Sequence, residues 1–322
     1  MIWVTTDEQL KAAVSAVTVD LSIDSLGSFL LEVESDFILL IGKLAKDELV
    51  ALPDHIATVY IRAAAVNLAL AAYASSGAML ISDAGMHVTK SDRNLPASDK
   101  KIVAFKRDRH KVGWGYFEKC VAQMEADAVA FPGWKASEER ARYMALFVDY
   151  SFEFALYSKV NVSPDLYQRL RPEIRKTEID VLAPVLGSAV WTELKSRKNG
   201  DGGDLDGKWQ ELLEQVLRAL GPLALADALP YQMVEVGKDG VFQLSEAALS
   251  STSDNIEARS VVQPRVMAGL LTRLVSEGEA ELERLRKFLN ANRATFEGAP
   301  DHEVAPMAKI NEGLDDSNVY FL

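Results

Sequence analysis

Apolar residues recur at helical spacing along most of the chain. From Ser25 to Ile41 they stand at Phe29, Leu30, Val33, Phe37, Ile38 and Leu40. Gly42 follows where a left-handed C-cap is expected. Lys43–Leu49 reads as a further helical turn before Pro53. The stretch from Asp54 to Ser75 is apolar nearly all round, from Ile61 through Val66 to Ala72, as in a buried helix. Ser98–Phe131 carries Ile102, Phe105, Val112, Tyr116, Val121, Met124 and Val129 on one long amphipathic helix. Gly113 and Gly115 flank Trp114 and predict a bend there. Between these two helices, Met79-Leu80-Ile81 and Met86-His87-Val88 flank Ser82-Asp83-Ala84-Gly85. That alternation predicts a β-hairpin over 79–89. At the chain start, Thr5 or Thr6 is the expected cap of a short helix through Leu10, Ala13 and Val14.

The second half repeats this order. Aromatic-rich Ala145–Val160 takes the place of the chain start. Ser163 and Pro164 supply an N-cap and a first helical residue. Leu166–Val185 ends in Val185-Leu186-Gly187 as the first copy ends in Leu40-Ile41-Gly42, and Ala189–Leu194 matches Leu44–Leu49. Trp209–Leu229 is the second apolar helix. Met233–Leu244 predicts a second hairpin around Gly237-Lys238-Asp239-Gly240. Val262–Phe296 is the second long helix, and Phe296-Glu297-Gly298 matches Phe131-Pro132-Gly133. The expected fold class is mainly α: two tandem helical-bundle modules, 1–140 and 141–298. Each carries a projecting β-hairpin (79–89 and 233–244), and an extended C-terminal tail spans 299–322.

Composition narrows the function. A chain of 322 residues with 48% hydrophobic content can fill two cores. The formal net charge of -12 argues against a protein built mainly to grip nucleic acid. A single cysteine, Cys120, rules out an intrachain disulfide. The N-terminus lacks the basic and apolar regions of a secretory signal. The run Ala63–Ala74 reads as too short to span a bilayer, so no membrane partner is expected.

No motif carries chemistry. Asn199–Gly207 puts Asp204 and Asp206 before Gly207, but an EF-hand register then places Gly202 at the first ligand position and Leu213 at the closing one. It reads as a flexible acidic loop. His55, His87, His110 and His302 are scattered, with no metal spacing. Glu32 and Glu34 read as an ordinary surface pair. Asn67, alone in its apolar helix, is either a buried register-fixing residue or an exposed one. Asn67, His87 and Cys120 are the polar groups that a ligand-binding groove between modules would use. Catalytic residues, metal and cofactor are therefore all expected to be absent. Lys100, Lys101, Lys106, Arg107, Arg109 and Lys111 form the one basic stretch. It reads as a solvated helix face, a contact with an acidic patch on a neighbouring copy, or a surface near passing DNA.

Two segments carry a resemblance. Val160–Asp165 through Ile179–Gly187, and Ile81–Met86 with Pro96-Ala97-Ser98, resemble uncharacterised proteins of Bacteroidetes phages and prophages. The second is also similar to the hairpin and following helix of phage head–tail connector (adaptor) proteins. The resemblance implies a virion protein without catalytic activity, assembled in the bacterial cytoplasm and placed at the head–tail interface. Its implied partners are itself in a cyclic ring, the portal protein, tail or neck proteins, and DNA that passes the lumen without specific binding. It further implies a portal-docking tail, Val319, Tyr320, Phe321 and Leu322, and exposed hairpin turns at Asp83, Gly85, Lys238 and Gly240. The alternatives are a cap or terminator of a contractile tail or injection apparatus, and a small-ligand-binding protein or enzyme.

Overall fold

A computed structural model describes residues 2–14, 22–76, 79–82, 85–88, 99–158, 162–232, 234–237, 240–243 and 264–302. Twelve α-helices run along these residues. They are α1 (Asp7–Ala13), α2 (Ile23–Ala51), α3 (Ile56–Ser76), α4 (Asp99–Ala126), α5 (Pro132–Lys135) and α6 (Glu138–Tyr143), then α7 (Ser151–Ser158), α8 (Pro164–Thr177), α9 (Ala183–Leu186), α10 (Ser188–Lys198), α11 (Gly207–Gln232) and α12 (Pro264–Ala291). A π-helical turn, Glu178–Leu182, joins α8 to α9.

The described core residues fall into two clusters. One gathers Trp3, Leu26, Phe37, Ala64, Phe117, Trp134 and their neighbours; the other gathers Phe147, Leu170, Leu186, Leu220, Leu285 and theirs. The chain divides between them near Met144. In the first, α3 lies along α4; in the second, α11 lies along α12. α3 is the spine of its module: Ala64, Ala65, Val66 and Ala69 are fully buried, and their small side chains admit close neighbours. By length and composition, Ile56–Ala74 is apolar enough to cross a membrane, longer than the run the sequence suggested. Here 67% of that stretch is buried within the protein.

Both modules use the same kink. α2 turns at Gly42 (φ 82°), and the matching helix turns at Gly187 (φ 75°), a backbone region that costs glycine nothing. The buried stripe before the kink is Leu26, Leu30, Glu34, Phe37 and Ile41 in the first module. In the second it is Leu170, Ile174, Glu178, Leu182 and Leu186. Three positions separate Glu34 from Phe37, but four separate Glu178 from Leu182. The π turn absorbs that extra residue, so Leu182 and Leu186 return to the core.

The expected fold class is corrected in one respect. Among the described residues the fold is 79% helical, and no β-layer forms part of either bundle there. Only four-residue backbone ladders stand where projecting hairpins were expected, Met79–Ser82 beside Gly85–Val88 and Val234–Gly237 beside Gly240–Gln243. Two such short strands without a third are marginal in water, and helices and their connecting segments supply the described core residues. One smaller expectation also changes. α4 runs through Gly113 and Gly115 as one helix, because Gly113 packs against Leu68 where a bend was expected. α6 is capped by Ser137, whose hydroxyl accepts from the Arg140 N–H.

Candidate functional site

The most organised polar groups lie at the seam between the modules. Glu118 on α4 is buried, and its carboxylate accepts from both the backbone N–H and the hydroxyl of Ser151, the first residue of α7, at 3.1 and 2.7 Å. Burial pushes the Glu118 carboxyl above its usual range, against the opposing pull of these two bonds. Tyr143, which ends α6, is buried between Phe117 and Trp134. From the second module, the Arg171 guanidinium covers the Tyr143 ring at 4.2 Å and donates to its carbonyl, while Gln168 donates to its hydroxyl. Pro164 sits 3.8 Å from where a Cβ on Gly115 would lie. The seam thus joins the back of module 1 (α4 and α6) to the front of module 2 (α7 and α8).

Beneath it lies a second buried group. Glu178 is 2% exposed; it accepts from the Phe147 N–H and pairs with Lys195 at 2.8 Å. Lys195 also donates to the Ala145 carbonyl and lies 3.6 Å from the Phe147 ring centroid. Lys198 pairs with Asp149 and donates to the Leu146 carbonyl. Burial pushes the carboxyls of Glu178 and Asp149 up and the Lys195 ammonium down to about 8. Both shifts have one cause, the loss of water around a charge. Together these bonds fasten the segment 145–149 onto the kinked helix. Glu34 does the same in the first module, accepting from the N–H groups of Ile2 and Trp3. On that side an arginine from α3, Arg62, donates to the Trp3 carbonyl.

Glu34 and Glu178 were missed in the sequence. Glu34 is 1% exposed, not half of a surface pair with Glu32. The available signal was its spacing: it sits four positions after Leu30, inside the apolar stripe.

The residues singled out earlier fare unevenly. Asn67 is buried, donates to the Ala63 carbonyl and accepts from Arg109 at 3.0 Å. It is therefore the register-fixing residue between α3 and α4, and Arg109 turns inward to it and over Phe105. Arg107 and Lys111 are exposed, and Lys106 is half-buried. Lys100 and Lys101 lie in the first turns of α4. Cys120 is fully buried, and desolvation pushes its thiol well up. It follows Arg109 by three helical turns, ~16 Å along α4, so Asn67 and Cys120 do not converge on one groove. His87 and Gly85 lie on the first ladder and Gly240 on the second. Asp83, Lys238 and Val319–Leu322 lie outside the described residues. Arg197 donates to the Asp204 carbonyl in the acidic loop. Among the described residues, no three His, Cys, Asp or Glu side chains are grouped to hold a metal ion.

This arrangement fixes two helical modules in one relation. The chain belongs to a family of unknown function (DUF6712), whose model matches residues 23–144 and 182–304. The first match runs from the start of α2 to the end of module 1. The second runs from the π turn to just past α12. No curated protein and no solved structure matches the chain.

Proposed function

We propose that this protein is a structural component of a phage virion, a head–tail adaptor that assembles as a ring between portal and tail, and that it performs no catalysis. One observation carries the reading. Two like helical units are joined front to back through a buried polar seam, the kind of relation that a cyclic assembly repeats from subunit to subunit. Heterologous contacts of this kind close into rings when the rotation allows. The charge fits the same setting. An acidic protein, at -12 overall, lets DNA pass a lumen without holding it. In this reading, Val319–Leu322 is the end that docks on the portal, and tail or neck proteins meet the opposite face.

The test mixes the full chain with the portal protein encoded beside it and images the particles. Rings attached to portal are expected, and a stop at Val319 should abolish attachment while leaving the modules folded. Normal attachment by the truncated chain would overturn the docking end. A full chain that never attaches to portal would overturn the adaptor reading.

A further inference from the structure

The two modules carry different residues on the same outer face. Leu68 packs on Gly113 as Leu223 packs on Gly278, which matches α3 to α11 and α4 to α12 residue by residue. At five matched positions module 2 carries Glu211, Glu214, Gln215, Glu277 and Glu281, a solvated face. Glu214, Glu277 and Glu281 pair there with Arg218, Arg273 and Arg284. Module 1 carries Ile56, Val59, Tyr60, Val112 and Tyr116 instead. Ile56, Val59 and Val112 are 42%, 45% and 37% exposed, and Tyr60 stacks on Tyr116 at 5.9 Å. One cation persists, since Lys119 stands where Arg284 stands. Its ammonium lies 5.9 and 5.0 Å from the ring centroids of Tyr60 and Tyr116. With Tyr116 in place of Glu281, Lys119 has no carboxylate partner among the described residues.

Folding does not call for this strip, because the matching helix pair packs with glutamates on the same face. Apolar side chains gathered at a surface mark a place that something covers. The cover has to bring apolar or aromatic side chains, and a carboxylate for Lys119.

We infer that residues 303–322 of the same chain are that cover, with Val319–Leu322 lying on the strip of α3 and α4 and Asp315 and Asp316 reaching Lys119.

Three observations favour this occupant. The first is composition. Residues 303–322 lie outside the described residues, and among the segments that do so this one alone contains aromatic residues, Tyr320 and Phe321.

The second is charge and its spacing. The segment carries Glu303, Glu312, Asp315 and Asp316 against a single lysine, Lys309. On the strip, Lys119 marks one end, and the exposed Asp108 lies one turn beyond Val112 at the other. The carboxylates of the segment therefore belong at the Lys119 end. Lys119 and Val112 are two helical turns apart, ~10 Å along α4. Three extended residues, from Asp316 to Val319, cover that distance.

The third is reach. The Asn290 amide donates to the His302 carbonyl, and the His302 ring bonds the Val185 carbonyl, which fixes where the segment departs. The chain from there to Val319 spans up to about 56 Å when extended. A compact chain of this length has a radius of gyration of about 20 Å.

The contact stands apart from the adaptor reading; within it, portal has to take Val319–Leu322 from the strip. A fluorophore on Ser317→Cys in the full chain reports the contact, because the native Cys120 is fully buried. Its anisotropy, without portal and at low salt, should show the segment held. Val59→Glu with Val112→Glu gives module 1 the residues of module 2. It should weaken the holding equilibrium roughly tenfold or more while the thermal melt stays in place. Tyr320→Ser with Phe321→Ser should do the same from the other side of the contact. Lys119→Glu should weaken holding, and Asp315→Lys with Asp316→Lys should restore much of it in that background. A wild-type label as mobile as the one in the Tyr320→Ser, Phe321→Ser variant would overturn the inference. So would holding that ignores Val59→Glu with Val112→Glu, or holding that rises with protein concentration, which assigns the cover to another copy. A held segment in a chain that never attaches to portal sinks the adaptor reading and leaves this contact standing. Attachment by a chain whose segment is free does the reverse.

Discussion

Leu68 fills the space that a side chain on Gly113 would need. A Cβ on Gly113 would lie 2.7 Å from Leu68 Cδ2, and in the other module a Cβ on Gly278 would lie 2.5 Å from Leu223 Cδ2. The same leucine-into-glycine contact thus sets the distance between α3 and α4 and between α11 and α12. Gly113→Ala should destabilise the protein by about 1–3 kcal/mol through overpacking. Leu68→Ala alone should cost about 2–5 kcal/mol through the cavity it leaves. The double variant should cost less than the two together, because each change relieves the other. Urea unfolding of all four proteins checks this, and strictly additive costs would sink it.

The repeat was partly legible because its landmarks are glycines and end signals. Gly42 and Gly187 need positive φ, and Phe131 and Phe296 are both buried ahead of Gly133 and Gly298. The spacing between copies is not constant, however. The π turn adds a residue after Glu178, and the connections before α11 and α12 are longer than those before α3 and α4. A fixed-period comparison therefore loses the match, and the Leu68–Gly113 pair looks like an isolated leucine and a bend. The buried carboxylates were illegible for a different reason. Glu118, Glu34 and Glu178 are carboxylates whose burial depends on backbone N–H groups that pattern alone does not bring to them. The hairpins failed in the opposite direction: alternation was present, but four residues a side cannot form a structural layer.

Glu118 should make stability depend on pH in a defined sense. Its carboxyl is raised above its ordinary value, chiefly by burial. The folded state then holds the proton more tightly than the unfolded one. The contribution of this group is full below about pH 4.5 and declines as pH rises through the higher folded value. Glu118→Gln removes that decline. The stability of the variant relative to wild type should therefore improve as pH rises from 4 toward 7, even though Gln gives the Ser151 donors only one acceptor. Chemical unfolding across this range checks it. Parallel pH profiles would mean that Glu118 does not titrate differently in the fold.

Glu34 and Glu178, which stand at matching positions in the two modules, should differ in cost. Glu34→Ala leaves the N–H groups of Ile2 and Trp3 without that carboxylate, which predicts a loss of about 1–3 kcal/mol. Glu178→Ala also leaves Lys195 buried without its counter-charge, which predicts about 3–5 kcal/mol. Adding Lys195→Met to Glu178→Ala should recover part of that loss. Equal costs for the two alanine variants would show that Lys195 finds water or another acceptor when Glu178 is gone.

The π turn predicts where the chain tolerates a deletion. Ile179 is 50% exposed and sits within the one-residue surplus of the second module. Removing it gives Glu178 the three-position spacing to the next core residue that Glu34 already has to Phe37. The helix can then run in α geometry with Leu182 and Leu186 still facing the core. Deleting exposed Ser35 in the first module has no surplus to draw on. It rotates everything after it by ~100° about the helix and takes Phe37 and Ile41 out of their cluster. Deletion of Ile179 should leave a cooperative melt within a few degrees of wild type, a change of about 1–2 kcal/mol. Deletion of Ser35 should abolish cooperative unfolding of the first module. If both deletions are tolerated, or neither, the π turn is not the remnant of an insertion into a shared helix.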